Sequence, residues 1–145
     1  MSSRDTTEPG KSQPRFFADR CLGVLTVKAL RERGWDIVRI SDVFENDAQS
    51  TSDEAWVTYG GTQGWAGLTK DKRIRRQSSY LRATTPIFAL SSGNLGIPEM
   101  VERFDAARSR IWANAMIERR EFWIVYEDGR IERRDPNLSD PPVTL

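Results

Sequence analysis

Hydrophobic residues along this chain fall into short runs that alternate between a strand-like and a helix-like period. RFFAD (15–19) is a brief apolar run ending on an aspartate and predicts a first strand. Over residues 21–33, Leu22, Leu25, Ala29 and Leu30 recur at helical spacing, and Gly34 stands where a helix commonly ends. WDIVRI (35–40) predicts a second strand, and residues 41–52 read as a polar loop. Ser52 is placed to cap a helix that opens on Asp53 and Glu54 and runs to about Gln63. WAGLT (65–69) predicts a third strand, followed by a basic stretch, helical or looped, to about residue 83; PIFAL (86–90) predicts a fourth strand. Ile97, Met100, Val101, Phe104, Ile111, Trp112, Ala115 and Met116 lie on one apolar stripe, which predicts a single long helix. FWIVYEDGRIERR (122–134) reads as a hairpin turning at Asp128-Gly129.

Strands alternating with helices imply right-handed crossovers and a mostly parallel sheet covered on both faces. The expected architecture is a three-layer α/β/α domain over residues 15–134, with strand order 2-1-3-4 and the C-terminal hairpin at the periphery. Residues 1–14 are polar, with Gly10 and Pro14, and are expected to be a disordered leader; residues 135–145 hold three prolines and are expected to be a flexible tail.

Composition mostly excludes. Lys and Arg (22) nearly balance Asp and Glu (21), a net charge of +1, so bulk charge selects no partner and any nucleic-acid reading must rest on where charges sit. With no histidine, Ser-His-Asp and Cys-His machinery and His-ligated metals are ruled out, and proton transfer falls to carboxylates, lysine, tyrosine or metal-bound water. A lone Cys21 forms no internal disulfide, and no apolar run approaches membrane-spanning length; both suit a cytoplasmic protein with no membrane partner.

The strand order fixes where chemistry is expected. A 2-1-3-4 sheet has a topological switch point between strands 1 and 3, and open α/β sheets bind ligands outside the carboxyl ends of their strands at such points. Asp19 ends strand 1, and Asp71 follows strand 3. Carboxylates on neighbouring strand ends repel unless a cation lies between them, and oxygen ligands suit Mg²⁺ or Mn²⁺. Asp53 is the third candidate, with Glu54 its competitor, and the three acids are expected to converge on one pocket. Around Asp71, five of the seven residues 70–76 are basic: Lys70, Lys72, Arg73, Arg75 and Arg76. Metal-holding acids rimmed by phosphate-holding cations suit a phosphodiesterase. The plainer roles are a turn residue for Asp19, a helix-start acid for Asp53 and a solvated face for the basic run. Ser91, Ser92 and Asn94 follow strand 4 and are candidates for a water-mediated metal contact or a phosphate contact, or form a plain loop. The aromatic residues fall on strands and apolar stripes and are assigned to packing.

FFADR, GWDIV, SDEAW, GWAGLTKDKRIR and IFALSSGNL, in that order, resemble PIN-like domains of the VapC toxin type over roughly residues 15–134. The GWAGLTKDKRIR segment is the most specific of these. The resemblance implies an Mg²⁺- or Mn²⁺-dependent endoribonuclease, the toxin of a type II toxin–antitoxin pair, with RNA as substrate and an antitoxin protein as partner; a homodimer is a candidate assembly, and the sequence does not fix the oligomeric state. Its acids would be Asp19, Asp53 and Asp71, with Asp42 as an outer candidate. Many such domains have a further acid after strand 4, where SSGNL has none, and Asn94 or a serine would stand in. That departure keeps a non-catalytic RNA- or protein-binding module as the alternative, and a DNA-directed nuclease as a third reading. A phosphoacceptor receiver domain, of similar topology, needs an acidic pair after strand 1 and a late lysine, and this chain has neither.

Overall fold

A computed structural model describes residues 13–44 and 52–136. Most of the expected leader and tail, and the middle of the polar loop after the second strand, lie outside the described residues. Six strands form one sheet: β1 (Arg15–Ala18), β2 (Asp36–Arg39), β3 (Ala66–Thr69), β4 (Ile87–Leu90), β5 (Phe122–Val125) and β6 (Ile131–Arg133). Their order is β2-β1-β3-β4-β5-β6, parallel throughout except for the antiparallel β5–β6 hairpin at one edge. The expected order of the first four strands and the peripheral hairpin are both found.

Successive side chains of each strand leave opposite faces, and the chain fills both. Phe16, Ala18, Leu68, Phe88 and Leu90 pack under α1 (Val24–Glu32), α3 (Ile97–Ala106) and α4 (Arg108–Ala115). Phe17, Ile87, Ala89, Phe122 and Ile124 pack under α2 (Asp53–Gln63) and the 3-10 segments that follow β3. The result is the three-layer α/β/α arrangement. Because the central strands are buried on both faces, they read as continuous apolar runs. Two glycines bear on these joints. Gly34 adopts φ 96°, a left-handed conformation that L side chains rarely take, and the chain turns there from α1 into β2. A Cβ on Gly67 would stand 3.1 Å from Trp56 Cζ3, so α2 lies close enough against β3 that any larger residue would require the Trp56 ring to give by a few tenths of an ångström.

One expectation needs correction, and one left open is resolved. The single long helix is two helices interrupted at Ala107, whose N–H is shared between the carbonyls of Arg103 (3.3 Å) and Phe104 (3.1 Å). The break lets Phe104 and Trp112 close on Trp35 from two sides, at ring separations of 6.3 and 5.7 Å, with the Arg108 guanidinium 4.8 Å from the Trp112 ring. The basic stretch is two 3-10 segments, Lys72–Arg76 and Ser78–Arg82, anchored by buried Ile74 and Tyr80. At the domain's borders, Pro14 is buried, and Asp135 accepts from the Phe122 N–H at 2.7 Å, so both residues belong to the packed unit.

Candidate functional site

β1 and β3 are hydrogen-bonded neighbours, and the pairing runs one residue past β1: the Asp19 N–H donates to the Leu68 carbonyl at 2.9 Å. This fixes the Asp19 side chain beside Thr69. The Thr69 hydroxyl donates to Asp19 Oδ2 at 2.8 Å, and the Cys21 thiol donates to the same oxygen at 3.1 Å. Thr69 Oγ1 also accepts from the Asp71 N–H at 3.0 Å. One fully buried hydroxyl therefore ties the ends of both strands together at the switch point.

Burial raises the Asp19 carboxyl above its ordinary 3.8; its bonds to Thr69 and Cys21 work against this, and the charge of Asp53 adds to it. Burial, and then the charge of Asp19, push the Cys21 thiol up to about 12, so at neutral pH it stays protonated and keeps its donor hydrogen.

Asp53 is positioned as expected. Ser52 caps α2 by accepting from the Ala55 N–H at 3.1 Å, and Asp53 in the first turn accepts from Trp56 Nε1 at 3.0 Å through Oδ1. Of the two first-turn acids, Asp53 is the one whose charge reaches Asp19. Glu54 accepts from Arg82 Nε at 2.7 Å and is committed to the neighbouring 3-10 segment.

Asp71 is engaged by its own segment. It caps the first 3-10 turn by accepting from the Arg73 N–H at 3.0 Å, and the Arg73 guanidinium lies on its carboxylate through two bonds of 3.0 and 3.1 Å. This pairing holds the Asp71 carboxyl below its ordinary range. Arg73 is further stabilised by the charge of Asp53. The chain thus lays a cation of its own across the acids. As the side chains stand, no group of three or more His, Cys, Asp or Glu among the described residues is arranged to hold a metal ion.

The other predicted residues divide. Lys70 and Lys72 make no side-chain hydrogen bond or ion pair among the described residues. Arg75 donates to the Arg134 carbonyl at 3.2 Å, and Arg76 is half-buried in the same segment. The loop after β4 lies against the loop after β3, since a Cβ on Gly93 would come within 3.4 Å of the Lys70 carbonyl. Asn94 there is exposed. Where a further acid was looked for, Ser91 accepts from Arg103 at 3.2 Å, so a cation occupies that corner. Asp42 accepts from the Arg39 N–H at 3.0 Å and from the Arg39 and Arg31 guanidinium groups at 3.3 Å each, which makes it a clasp between β2 and α1. The aromatic rings pack on one another in the core as expected.

Sequence reasoning did not identify Thr69 or Cys21 as site residues, and it took Arg73 for a phosphate contact. The one signal for the first two was their position, two residues before Asp71 and two after Asp19.

The donor set suits a hard divalent cation. Asp19 and Asp53 would supply carboxylate oxygens, the nearby Cys21 sulfur stays protonated, and a carboxylate raised chiefly by burial, and further by its neighbour's charge, is relieved by a cation.

Comparisons with known proteins bear on the family of the chain. The family model described as a PIN like domain matches residues 14–92, more than half the chain and the stretch that carries Asp19, Asp53 and Asp71. The chain is 29% identical over 102 residues to the protein named “Putative ribonuclease VapC45” from Mycobacterium tuberculosis, covering 66% of this chain and 74% of that protein. No solved structure matches it.

Proposed function

The chain belongs to the PIN-like domain family, and from that premise we propose that it is a divalent-metal-dependent endoribonuclease and the toxin of a toxin–antitoxin pair. The observation that carries this reading is the part-buried Asp19 carboxylate at the β1/β3 switch point, raised chiefly by burial and further by the charge of Asp53, and held in place by Thr69. A similar protein bears a ribonuclease's name.

Asp19 and Asp53, joined by Asp71, would hold Mg²⁺ or Mn²⁺. Such an ion, when bound, turns a water into a nucleophile at neutral pH and takes up charge on the leaving oxygen. The chain supplies the rest. Thr69 and Cys21 fix the lone pairs of Asp19, so its free oxygen keeps one direction. Lys70 and Lys72 stand beside the acids as phosphate contacts. Arg73 exchanges Asp71 for a phosphate as substrate arrives, since both are oxyanions that suit its planar fork. With no histidine in the chain, proton transfer runs through the carboxylates and bound water. No helix among the described residues is long and apolar enough to cross a membrane.

One observation favours a second reading, a non-catalytic RNA-binding module: Asp71 is neutralised by Arg73, and an arginine stands where a further acid was looked for. Incubating the purified chain with matched RNA and DNA oligonucleotides, in Mg²⁺ or Mn²⁺ and again in EDTA, separates the two. The proposal expects metal-dependent cuts in RNA alone. RNA that is bound but intact in both metals supports the module, and cuts in DNA move the substrate.

A further inference from the structure

Among the described residues, a cavity at the carboxyl edge borders Asp19 and is not lined by the basic segment. It measures about 200 Å³, opens to solvent, and lies over the ends of β1 and β2. Asp19 forms one wall, Arg20, Arg39 and Ser41 supply polar groups, and Val24 and Ile40 give an apolar side. Arg20 is exposed and makes no side-chain hydrogen bond or ion pair among the described residues, whereas Arg39 is shared with Asp42 at 3.3 Å. An unpaired guanidinium at the rim of this cavity is available to an incoming oxyanion.

We propose that this cavity seats one ribose–phosphate unit of single-stranded RNA next to the phosphate that is cut, with Arg20 on the phosphate and Val24 beside the sugar. The inference rests on the ribonuclease reading and adds the path of the substrate. The volume is below the 300–1,000 Å³ or so of a pocket that encloses a drug-sized ligand, and it suits a sugar–phosphate unit whose base stays outside. Arginine answers the phosphate, and the apolar wall answers a sugar face. Sheet order sets the path: the cavity lies on the β2 side of Asp19, and Lys70 and Lys72 follow β3 on the other side. A strand held at both places must cross Asp19. Because no contact reaches a base edge, this unit is held without regard to sequence.

The test uses the full chain with a labelled single-stranded RNA in EDTA, which keeps the RNA whole, and reads binding by fluorescence anisotropy across a salt series. Arg20→Ala is expected to weaken binding about 5- to 10-fold and to flatten the slope of log affinity against log salt by about 0.7, the contribution of one phosphate contact on a single strand. Arg20→Lys should keep the slope. Val24→Trp, at a position 53% exposed and so tolerant of size, should weaken binding by crowding the cavity while leaving the slope unchanged. If Arg20→Ala keeps the wild-type affinity and slope while the wild-type chain binds RNA, the cavity is not on the path and the ribonuclease reading stands. If the wild-type chain binds no RNA in EDTA, the cavity seats no ribose–phosphate unit by itself and the proposal fails, while the ribonuclease reading is decided by the cleavage assay in Mg²⁺ or Mn²⁺.

Discussion

Asp19 carries more of the account than any other residue, and its environment makes a prediction that needs no substrate. Its folded carboxyl is raised above the ordinary value, chiefly by burial. A raised acid favours folding while it is protonated, below its unfolded pKa, and that favour is lost as pH rises through the folded pKa. Above the unfolded pKa, folding must therefore either bury that charge or take up a proton, and both cost stability. Asp19→Asn keeps an oxygen for Thr69 and removes the charge, so the metal-free variant should melt higher at pH 7, by about 4 °C for a gain of about 1 kcal/mol in a domain of this length. The gap should close as pH falls below 4. A variant that melts lower than wild type at pH 7 would mean the carboxylate is stabilised where it stands. Arg73 gives a second prediction. Its two bonds to Asp71 compete with any cation for those oxygens. Arg73→Ala should bind Mn²⁺ several-fold more tightly by titration calorimetry, while Arg73→Lys should fall between. Equal affinities would show that Asp71 stays outside the ion's reach. Neither Arg73 nor Thr69 could be assigned from sequence, because a run such as TKDKRIR shows which charges are near one another and not which oxygen each donor meets.

Elements were more legible than contacts. β1 to β4 and the hairpin follow from the short apolar runs, since strands buried on both faces leave that imprint. Ser52 announced α2 because a hydroxyl before two acids suits a helix start, and this in turn put Asp53 in the first turn of that helix. The break at Ala107 was not legible. The apolar stripe continues through it, and its cause is tertiary: the enclosure of Trp35 by Phe104 and Trp112. The glycine at 67 was equally silent, since only the fold reveals Trp56 3.1 Å from where its Cβ would be. Gly67→Ala should force α2 away from β3 and destabilise the chain by about 1–3 kcal/mol, measured by urea denaturation. Because α2 carries Asp53, the same variant should shift the acid pair. An unchanged midpoint would show that the Trp56 ring yields freely.

At the scale of the whole molecule, the net charge of +1 hides a local division: a carboxylate pair at the switch point, with cations on both sides of it. A net charge averages such a division away, which is why composition selects no partner. A ribonuclease of the toxin type should slow its host when expressed alone, and a cognate antitoxin should restore growth and co-purify with it. A side chain of that partner that inserts an arginine or lysine at Asp19 would silence the site by the same competition that Arg73 already exerts on Asp71. Normal growth at high expression, with no difference between wild type and Asp19→Asn, would set the toxin reading aside.

The central claim is that Asp19 and Asp53 form a divalent-cation site, and calorimetric titration of Mn²⁺ into the full chain tests it most directly. The account predicts saturable binding in the wild type, weakened at least tenfold in Asp19→Asn and in Asp53→Asn, with little change in Glu54→Gln, whose carboxylate is held by Arg82. No saturable binding in the wild type, or the same affinity in Asp19→Asn, would contradict it.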